Sequence, residues 1–243
     1  MVISSDMKKN YLLEQIVNIF RSLEKGKVLD LGCGDGDYAK RLKDLGYEVT
    51  AGDIDENRFK YGNEISFKHC DITKEMPFPD NTFDYVLLLE VIEHLRNPYA
   101  VIPEIRRIIK KNGFLLMSTP NILSLKSRLR FIFEGAYEYF REPPLDQVEN
   151  PRENIFNLHL VPYRYHELEY LLSACGFKVS DIYTTVYEGR LLWFLLPVIR
   201  LQAWQKELRA SKKGGVDYKR INKILLSREL LFGRHLILKA QKA

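Results

Sequence analysis

The sequence predicts an α/β protein built on a doubly wound, mostly parallel sheet with helical insertions. Three observations lead there. Short apolar strands alternate with amphipathic helices from about residue 25 to 120. A glycine-rich turn, Gly32-Cys33-Gly34-Asp35-Gly36, joins the first strand to a helix. Two aspartates, Asp53 and Asp71, close the next two strands.

The elements follow in order. Residues 7–24 place Leu12, Leu13, Ile16, Val17 and Phe20 at helical spacing, giving an amphipathic leading helix. Lys27 to Leu31 is a short apolar strand. Asp37 to Leu45 returns to helical periodicity and stops at Gly46, as a helix C-terminus does. Tyr47–Asp53 and Glu64–Asp71 read as strands, with a short helix or turn near 56–60 between them. Phe83–Leu89 is a nearly unbroken apolar strand, the pattern expected when helices cover both faces of a parallel sheet. Asn97-Pro98 opens a helix running to about Lys110, Asn112-Gly113 ends it, and Phe114–Ser118 is the next strand. Beyond this, 121–163 begins as a basic amphipathic stretch and becomes a Pro-containing loop. Arg164–Cys175 is a helix, Phe177–Val186 a strand, 187–229 an insertion, and Arg234–Ala240 a last strand. The expected organisation is one domain over 1–243. Its core is about 25–120 plus 164–186 and 230–243, with insertions at 121–163 and 187–229.

Composition sets bounds on function. The chain has 243 residues, 46% hydrophobic and 28% charged, which suits a globular core. A formal charge of +5 falls short of the dense basic surface of a nucleic-acid binder. Cys33, Cys70 and Cys175 are too scattered for a disulfide framework or a zinc knuckle, and reduced thiols point to the cytoplasm. The first residues lack the layout of a signal peptide. The longest apolar run, Leu191–Ile199, is far short of the about 20 residues that span a bilayer.

The glycine turn carries the first chemical statement. Glycines at a strand-to-helix junction admit positive φ and let a ligand approach the backbone. Here Gly32, Gly34 and Gly36 are each two apart, and Asp37 stands where a dinucleotide fingerprint would place its third glycine. No Gly-Lys-Ser/Thr follows, so the turn is not a P-loop. The flanking Asp30, Asp35 and Asp37 would repel a phosphate and favour a cationic ligand, a sulfonium with an amino group. Asp53 stands where a carboxylate accepts from ribose hydroxyls; Asp55 beside it reads as a helix cap. Asp71 can accept from an adenine amino group while the Ile72 N–H serves a ring nitrogen. Its alternative role is to cap a turn with Thr73.

Together these segments resemble the class I SAM-dependent (S-adenosylmethionine-dependent) methyltransferases. They are Val28-Leu29-Asp30-Leu31-Gly32-Cys33-Gly34-Asp35-Gly36, Gly52-Asp53-Ile54, Cys70-Asp71-Ile72, Phe83-Asp84 and Leu89-Glu90-Val91-Ile92-Glu93-His94. The resemblance implies a Rossmann-like, seven-stranded sheet whose final strand is antiparallel. It implies a SAM site of Asp30, Gly32, Cys33, Gly34, Gly36, Asp53, Ile54, Asp71, Ile72, Leu89 and Glu90, with S-adenosylhomocysteine as product.

Methyl transfer is an in-line displacement at a sulfonium carbon, and a base is needed only for a weak nucleophile such as a hydroxyl. His94 and His159 are the candidates for that base. Glu90, Glu93 and His94 are similar to a pattern associated with a divalent cation in quinone O-methyltransferases. The same pattern occurs in related sequences for which no metal is implied, and no metal is expected here; Mg2+ is the ion such an oxygen-rich set would favour as the alternative. Ser118-Thr119-Pro120-Asn121 is similar to the corresponding segment of quinone- and glycan-pathway methyltransferases. The expected acceptor is therefore a small molecule or a lipid- or glycan-linked group methylated at oxygen, rather than nucleic acid. In 187–213, Trp193, Phe194 and Trp204 with Lys206, Arg209, Lys212 and Lys213 suggest peripheral contact with the inner face of a membrane, or a homodimer. The competing readings are a non-catalytic SAM-fold binding or scaffold protein and, disfavoured by the glycine spacing, a nicotinamide oxidoreductase.

Overall fold

The computed structural model describes residues 5–140, 159, 161–211 and 218–243. The sheet has seven strands in the order β3-β2-β1-β4-β5-β7-β6. They are β1 (Lys27–Leu31), β2 (Glu48–Asp53), β3 (Ser66–His69), β4 (Phe83–Leu89), β5 (Ile109–Pro120), β6 (Phe177–Tyr183) and β7 (His235–Lys242). β1 to β5 run parallel, whereas β7 pairs antiparallel with both β5 and β6. The chain winds outward from β1 through β2 to β3, then returns to β4 on the other side of β1. That reversal opens a crevice at the carboxyl ends of β1 and β4, where ligands of such sheets sit.

Alternation along the central strands explains their unbroken apolar character. Leu29, Leu31, Val86, Leu88, Leu115 and Met117 enter one buried cluster, and Val28, Leu87, Leu89, Phe114 and Leu116 enter another. The first cluster is covered by α3 (Pro98–Ile108) and α5 (Tyr165–Ala174), through Ile102, Ile105, Leu168 and Leu172. The second is covered by α1 (Ser5–Arg21) and α2 (Asp37–Asp44), through Ile16, Phe20, Ala39 and Leu42. Both faces are thus sealed, as a parallel sheet requires.

Several boundaries differ from expectation, two of them with a clear cause in the sheet. α3 ends at Ile108 rather than near Lys110, and β5 already begins at Ile109. Ile109 pairs with Phe83 before the register shifts, Asn112 takes φ +71° within that irregular stretch, and Phe114 then pairs with Tyr85. Pairing to β4 outweighs the helical pattern there. The expected strand over 64–71 shortens to Ser66–His69, at the sheet edge.

The insertions are helical where described. α4 (Leu125–Glu134) follows β5, and Ser124 caps it by accepting from the Ser127 N–H at 3.2 Å. After β6 come a 3-10 turn at Arg190–Leu195, α6 (Leu196–Ser211), α7 (Tyr218–Leu225) and α8 (Arg228–Phe232). The expected Pro-containing loop falls largely in 141–158, outside the described residues, as do Lys212 and Lys213. No described helix is long and apolar enough to cross a membrane.

Gly36 sits at φ +86°, and a Cβ there would land on the edge of the Phe59 ring. We expect Gly36→Ala to lower unfolding free energy by about 2–4 kcal/mol, combining backbone strain with the clash. Urea titration of the two proteins measures it; an unchanged midpoint would show that Phe59 yields freely.

Candidate active site

The turn after β1 is held from two sides. Asp30 is buried, and its Oδ2 accepts from the Ala39 N–H at 3.1 Å, inside the first turn of α2 where the helix dipole favours a carboxylate. Across the crevice, Asp53 Oδ2 accepts from the Gly34 N–H at 2.8 Å, and its Oδ1 from the Asp55 N–H at 3.0 Å. Gly32 and Cys33 both donate to the Gly52 carbonyl, at 2.7 and 3.3 Å. The loop between Gly32 and Gly36 is therefore a preformed cradle between the ends of β1 and β2.

The three glycines are not equivalent. At Gly32 (φ +75°) a Cβ would stand 2.7 Å from Val91 Cγ2, on the chain that leaves β4. At Gly36 the obstacle is Phe59. At Gly34 (φ +54°) the nearest atom is the Arg58 guanidinium at 3.7 Å, so this is the glycine whose open side faces free space. The acidic flank is also more divided than the sequence suggested. Asp35 pairs with Lys60 at 3.3 Å and Asp37 accepts from the Tyr61 hydroxyl at 3.1 Å. Cys33 is buried, and burial with the nearby Asp30 and Asp53 pushes its thiol well above the usual range, so it serves as packing.

On the β3 side, Asp71 Oδ1 accepts from both the N–H and the hydroxyl of Thr73, at 3.0 and 2.7 Å, and Oδ2 meets Lys74 at 3.2 Å. These contacts, the Thr73 hydroxyl foremost, hold its pKa below the ordinary carboxylate value. The turn-capping role is thus realised in the structure. Ile54 is 54% exposed, an apolar surface beside Asp53, while Ile72 packs against the core.

At the end of β4, beyond the Leu89–Ser118 rung, Glu90 adopts φ +52°. This conformation is uncommon for a non-glycine residue, and its cost is carried by specific contacts. The Glu90 N–H donates to the Ser118 side-chain oxygen at 3.1 Å, while Ser118 Oγ donates to Glu90 Oε1 at 2.6 Å. His235 Nε2 lies 3.9 Å from Glu90 Oε2. Burial pushes the Glu90 pKa up to about 7, with Ser118 and Arg234 opposing the rise.

Glu93, in the 3-10 turn Ile92–His94, is fully buried. Neither of its carboxylate oxygens makes a well-formed hydrogen bond among the described residues, and burial followed by repulsion from Glu90 raises its pKa, with the nearby Thr119 hydroxyl opposing the rise. A buried, poorly bonded carboxyl is costly unless protonated or coordinating. Its neighbours supply the chemistry. The His94 and His159 rings lie 5.0 Å apart, and ligand atoms of Glu93, His94 and His159 fall within 4.8 Å of one another. His159 Nδ1 lies 2.6 Å from the Tyr139 carbonyl. A carbonyl only accepts, so Nδ1 carries the proton of this contact.

The structure therefore regroups the three residues of the alternative cation pattern. Glu93 and His94 stay together, His159 joins them, and Glu90 is drawn to Ser118 instead. Strand geometry is the reason: Glu90 leaves β4 against β5, while the 3-10 turn rotates Glu93 and His94 toward residue 159.

Three participants are absent from the sequence reading of the site. Arg234 is buried, 3.2 Å from Glu188 and 5.1 Å from the Tyr139 ring centroid. His235 is buried beside Glu90, with Nδ1 2.8 Å from the Thr185 hydroxyl. Tyr38 is near enough to Glu90, Asp30, Asp35 and Asp37 that they add to burial in raising its pKa. An Arg-His pair opening an apolar strand was the available hint. Asn121 is structural: its side-chain N–H groups donate to the carbonyls of Glu229, Leu230 and Gly233, closing α8 against β5.

This geometry has known counterparts. Residues 29–117 match the family model described as "Methyltransferase domain". A Rickettsia canadensis protein named ubiquinone biosynthesis O-methyltransferase is 31% identical over 75% of this chain and 75% of its own length. A namesake from Rickettsia bellii is 27% identical over 72% and 80%. Among solved structures, a SAM-dependent methyltransferase from Archaeoglobus fulgidus superposes with a TM-score of 0.60 at 20% identity, covering 98% of this chain and 95% of that one. The chain belongs to the class I SAM-dependent methyltransferase family, and S-adenosylmethionine is the donor that its family and fold imply.

Glu90 binds its proton more tightly folded than unfolded. Its stabilising contribution is complete below the unfolded value of 4.5 and is lost as pH rises through about 7. With a chelator present and no cofactor, we expect Glu90→Gln to flatten the fall in stability between those limits. The variant should gain about 1–2 kcal/mol on the parent from the acid to the alkaline end, after allowance for partial exposure. Thermal unfolding at a series of pH values reads this. Parallel curves would refute the raised pKa.

Proposed function

We propose that the chain moves the methyl group of SAM to an oxygen of a small or lipid-linked acceptor, at the carboxyl ends of β4 and β5. The observation that carries this reading is the convergence of Glu93, His94 and His159 beside Glu90, next to the glycine cradle. The names of the Rickettsia relatives support oxygen as the accepting atom.

In this reading Asp53 accepts from the ribose hydroxyls in exchange for its bond to Gly34. Asp30, Gly32, Cys33, Gly34 and Gly36 surround the methionine portion, and Leu89 and Glu90 line the methyl end. Ile54 provides an apolar face for adenine, with Asp71 and Ile72 at its edge. Release of the Asp53–Gly34 bond lets the loop adjust by a small movement rather than a refolding. Transfer then rests on alignment and exclusion of water. His159, oriented through Nδ1 by the Tyr139 carbonyl, takes the proton of the acceptor hydroxyl, and His94 packs against it. The segments 121–163 and 187–229 enclose the acceptor.

A second reading has its own observation, the buried Glu93 carboxylate without a well-formed hydrogen bond. Glu93, His94 and His159 would hold a divalent cation. Two imidazoles and one carboxylate suit a transition metal better than the Mg2+ that Glu90, Glu93 and His94 would favour. Such an ion would lower the pKa of an acceptor hydroxyl.

Calorimetry tests the donor site: Asp53→Ala should weaken S-adenosylhomocysteine binding at least ~10-fold, since two charge-assisted hydrogen bonds are lost. No binding by the parent chain would remove the reading altogether. For the acceptor side, catechols and hydroxylated quinones are screened with tritiated SAM. His159→Ala should cut turnover about 10²–10⁴-fold if it is the base. Parent activity that vanishes with a strong chelator and returns with an added divalent cation would favour the cation instead.

A further inference from the structure

A cavity of about 310 Å3 lies between the 190–195 turn with α6 on one side and the stretch from Leu226 to Phe232 on the other. Three guanidiniums, those of Arg190, Arg200 and Arg228, line it together with Tyr187, Leu226 and Phe232, and no carboxylate does. None of the three arginines forms an ion pair among the described residues. Arg228 lies 4.1 Å and Arg190 5.9 Å from the centroid of the Tyr187 ring, and the Tyr187 hydroxyl meets Glu229 at 3.2 Å. Aromatic stacking holds two of the guanidiniums in place without neutralising them. Such a cluster repels itself until an anion enters, and guanidiniums match phosphate geometry.

The rim of this cavity is apolar and open. Trp193 lines it and is 64% exposed; around it Leu191 is 85% exposed, with Phe194, Val198, Leu201 and Trp204 also turned to solvent. Lys206 and Arg209 follow on α6, both exposed. Indole and leucyl groups beside cations match the acyl–headgroup boundary of a bilayer. A second copy of the chain fits poorly, because a two-fold contact would set the arginines against their own images. The cavity also has a defined position in the sheet. Its lining ends at Phe232, three residues before His235, which pairs with Pro120 at the carboxyl end of β5.

We propose that this cavity receives the phosphate headgroup of an anionic membrane lipid while Leu191, Trp193, Phe194 and Trp204 enter the interface, docking the catalytic end of the sheet on the bilayer. The docking goes beyond the methyl-transfer reading and does not need SAM.

Co-sedimentation of the full chain with phosphatidylcholine vesicles, with and without phosphatidylglycerol, tests it at low and high salt. Anionic vesicles should bind at least ~10-fold more tightly than neutral ones, and the preference should shrink with salt. Arg190→Gln, Arg200→Gln and Arg228→Gln combined should remove that preference by about the same factor. Arg200→Gln alone, an exposed change, should give a partial loss. Trp193→Ser should weaken binding to anionic vesicles while retaining the salt response. Retained S-adenosylhomocysteine binding marks these variants as folded, and if the parent lacks that binding the vesicle result still stands alone. Equal binding to neutral vesicles would overturn the proposal. So would inorganic phosphate shifting tryptophan fluorescence in a chain that ignores vesicles, or a stable dimer, dissociated by Trp193→Ser, that does not sediment with lipid.

Discussion

Two carboxylates pin the loop that leaves β1, and most of the functional geometry hangs from them. Asp30 faces the first turn of α2 from beneath, and Asp53 holds the Gly34 N–H from the neighbouring strand. Without the first, the buried end of α2 would keep an unmet donor; without the second, the cradle would lose its register with β2. Because β1 is central in the sheet, with β2 on one side and β4 on the other, the same pinned loop faces both the nucleoside side and the reacting side. Gly32 is the contact between the two, since a side chain there would strike Val91 just after β4.

The opposite wall depends on a strained residue. Glu90 turns away from β4 in a left-handed conformation and is held by Ser118 on β5. This turn starts the path that buries Glu93 and presents His94 to His159. Burial then does electrostatic work. It raises the pKa values of both glutamates, leaving protons or cations as their natural partners. Arg234, at the start of β7, adds positive charge on the far side of Glu90, with the His235 ring beside it. An antiparallel strand is needed for this, because only its N-terminus arrives at the carboxyl ends of the parallel strands.

Local pattern was sufficient wherever the signal was periodic or punctuated by glycine. The strands β1, β2 and β4, the helix α2 and the turn between Gly32 and Gly36 fall where the sequence places them, because alternation and helical spacing report burial directly. It failed at Ile109–Lys111, where pairing with β4 extends residues whose spacing continues a helix. Nor does spacing report that the Phe59 ring stands where a side chain at Gly36 would go. The aspartates were recognised by position, and Thr73 as a cap partner of Asp71, but not Lys74 for Asp71 or Lys60 for Asp35.

Sequence alone determined the doubly wound core, the family, and the residues that form the cradle, since these follow from patterns within about 30 residues of chain at a time. Tertiary structure decided which distant groups meet. His159 reaches Glu93 and His94 across more than sixty positions, Arg234 and His235 reach Glu90 from the last strand, and Arg190, Arg200 and Arg228 converge on one cavity. No spacing rule encodes such meetings. They arise because the sheet order brings non-consecutive strands together, and chemistry at the carboxyl edge depends on that order rather than on neighbours in sequence.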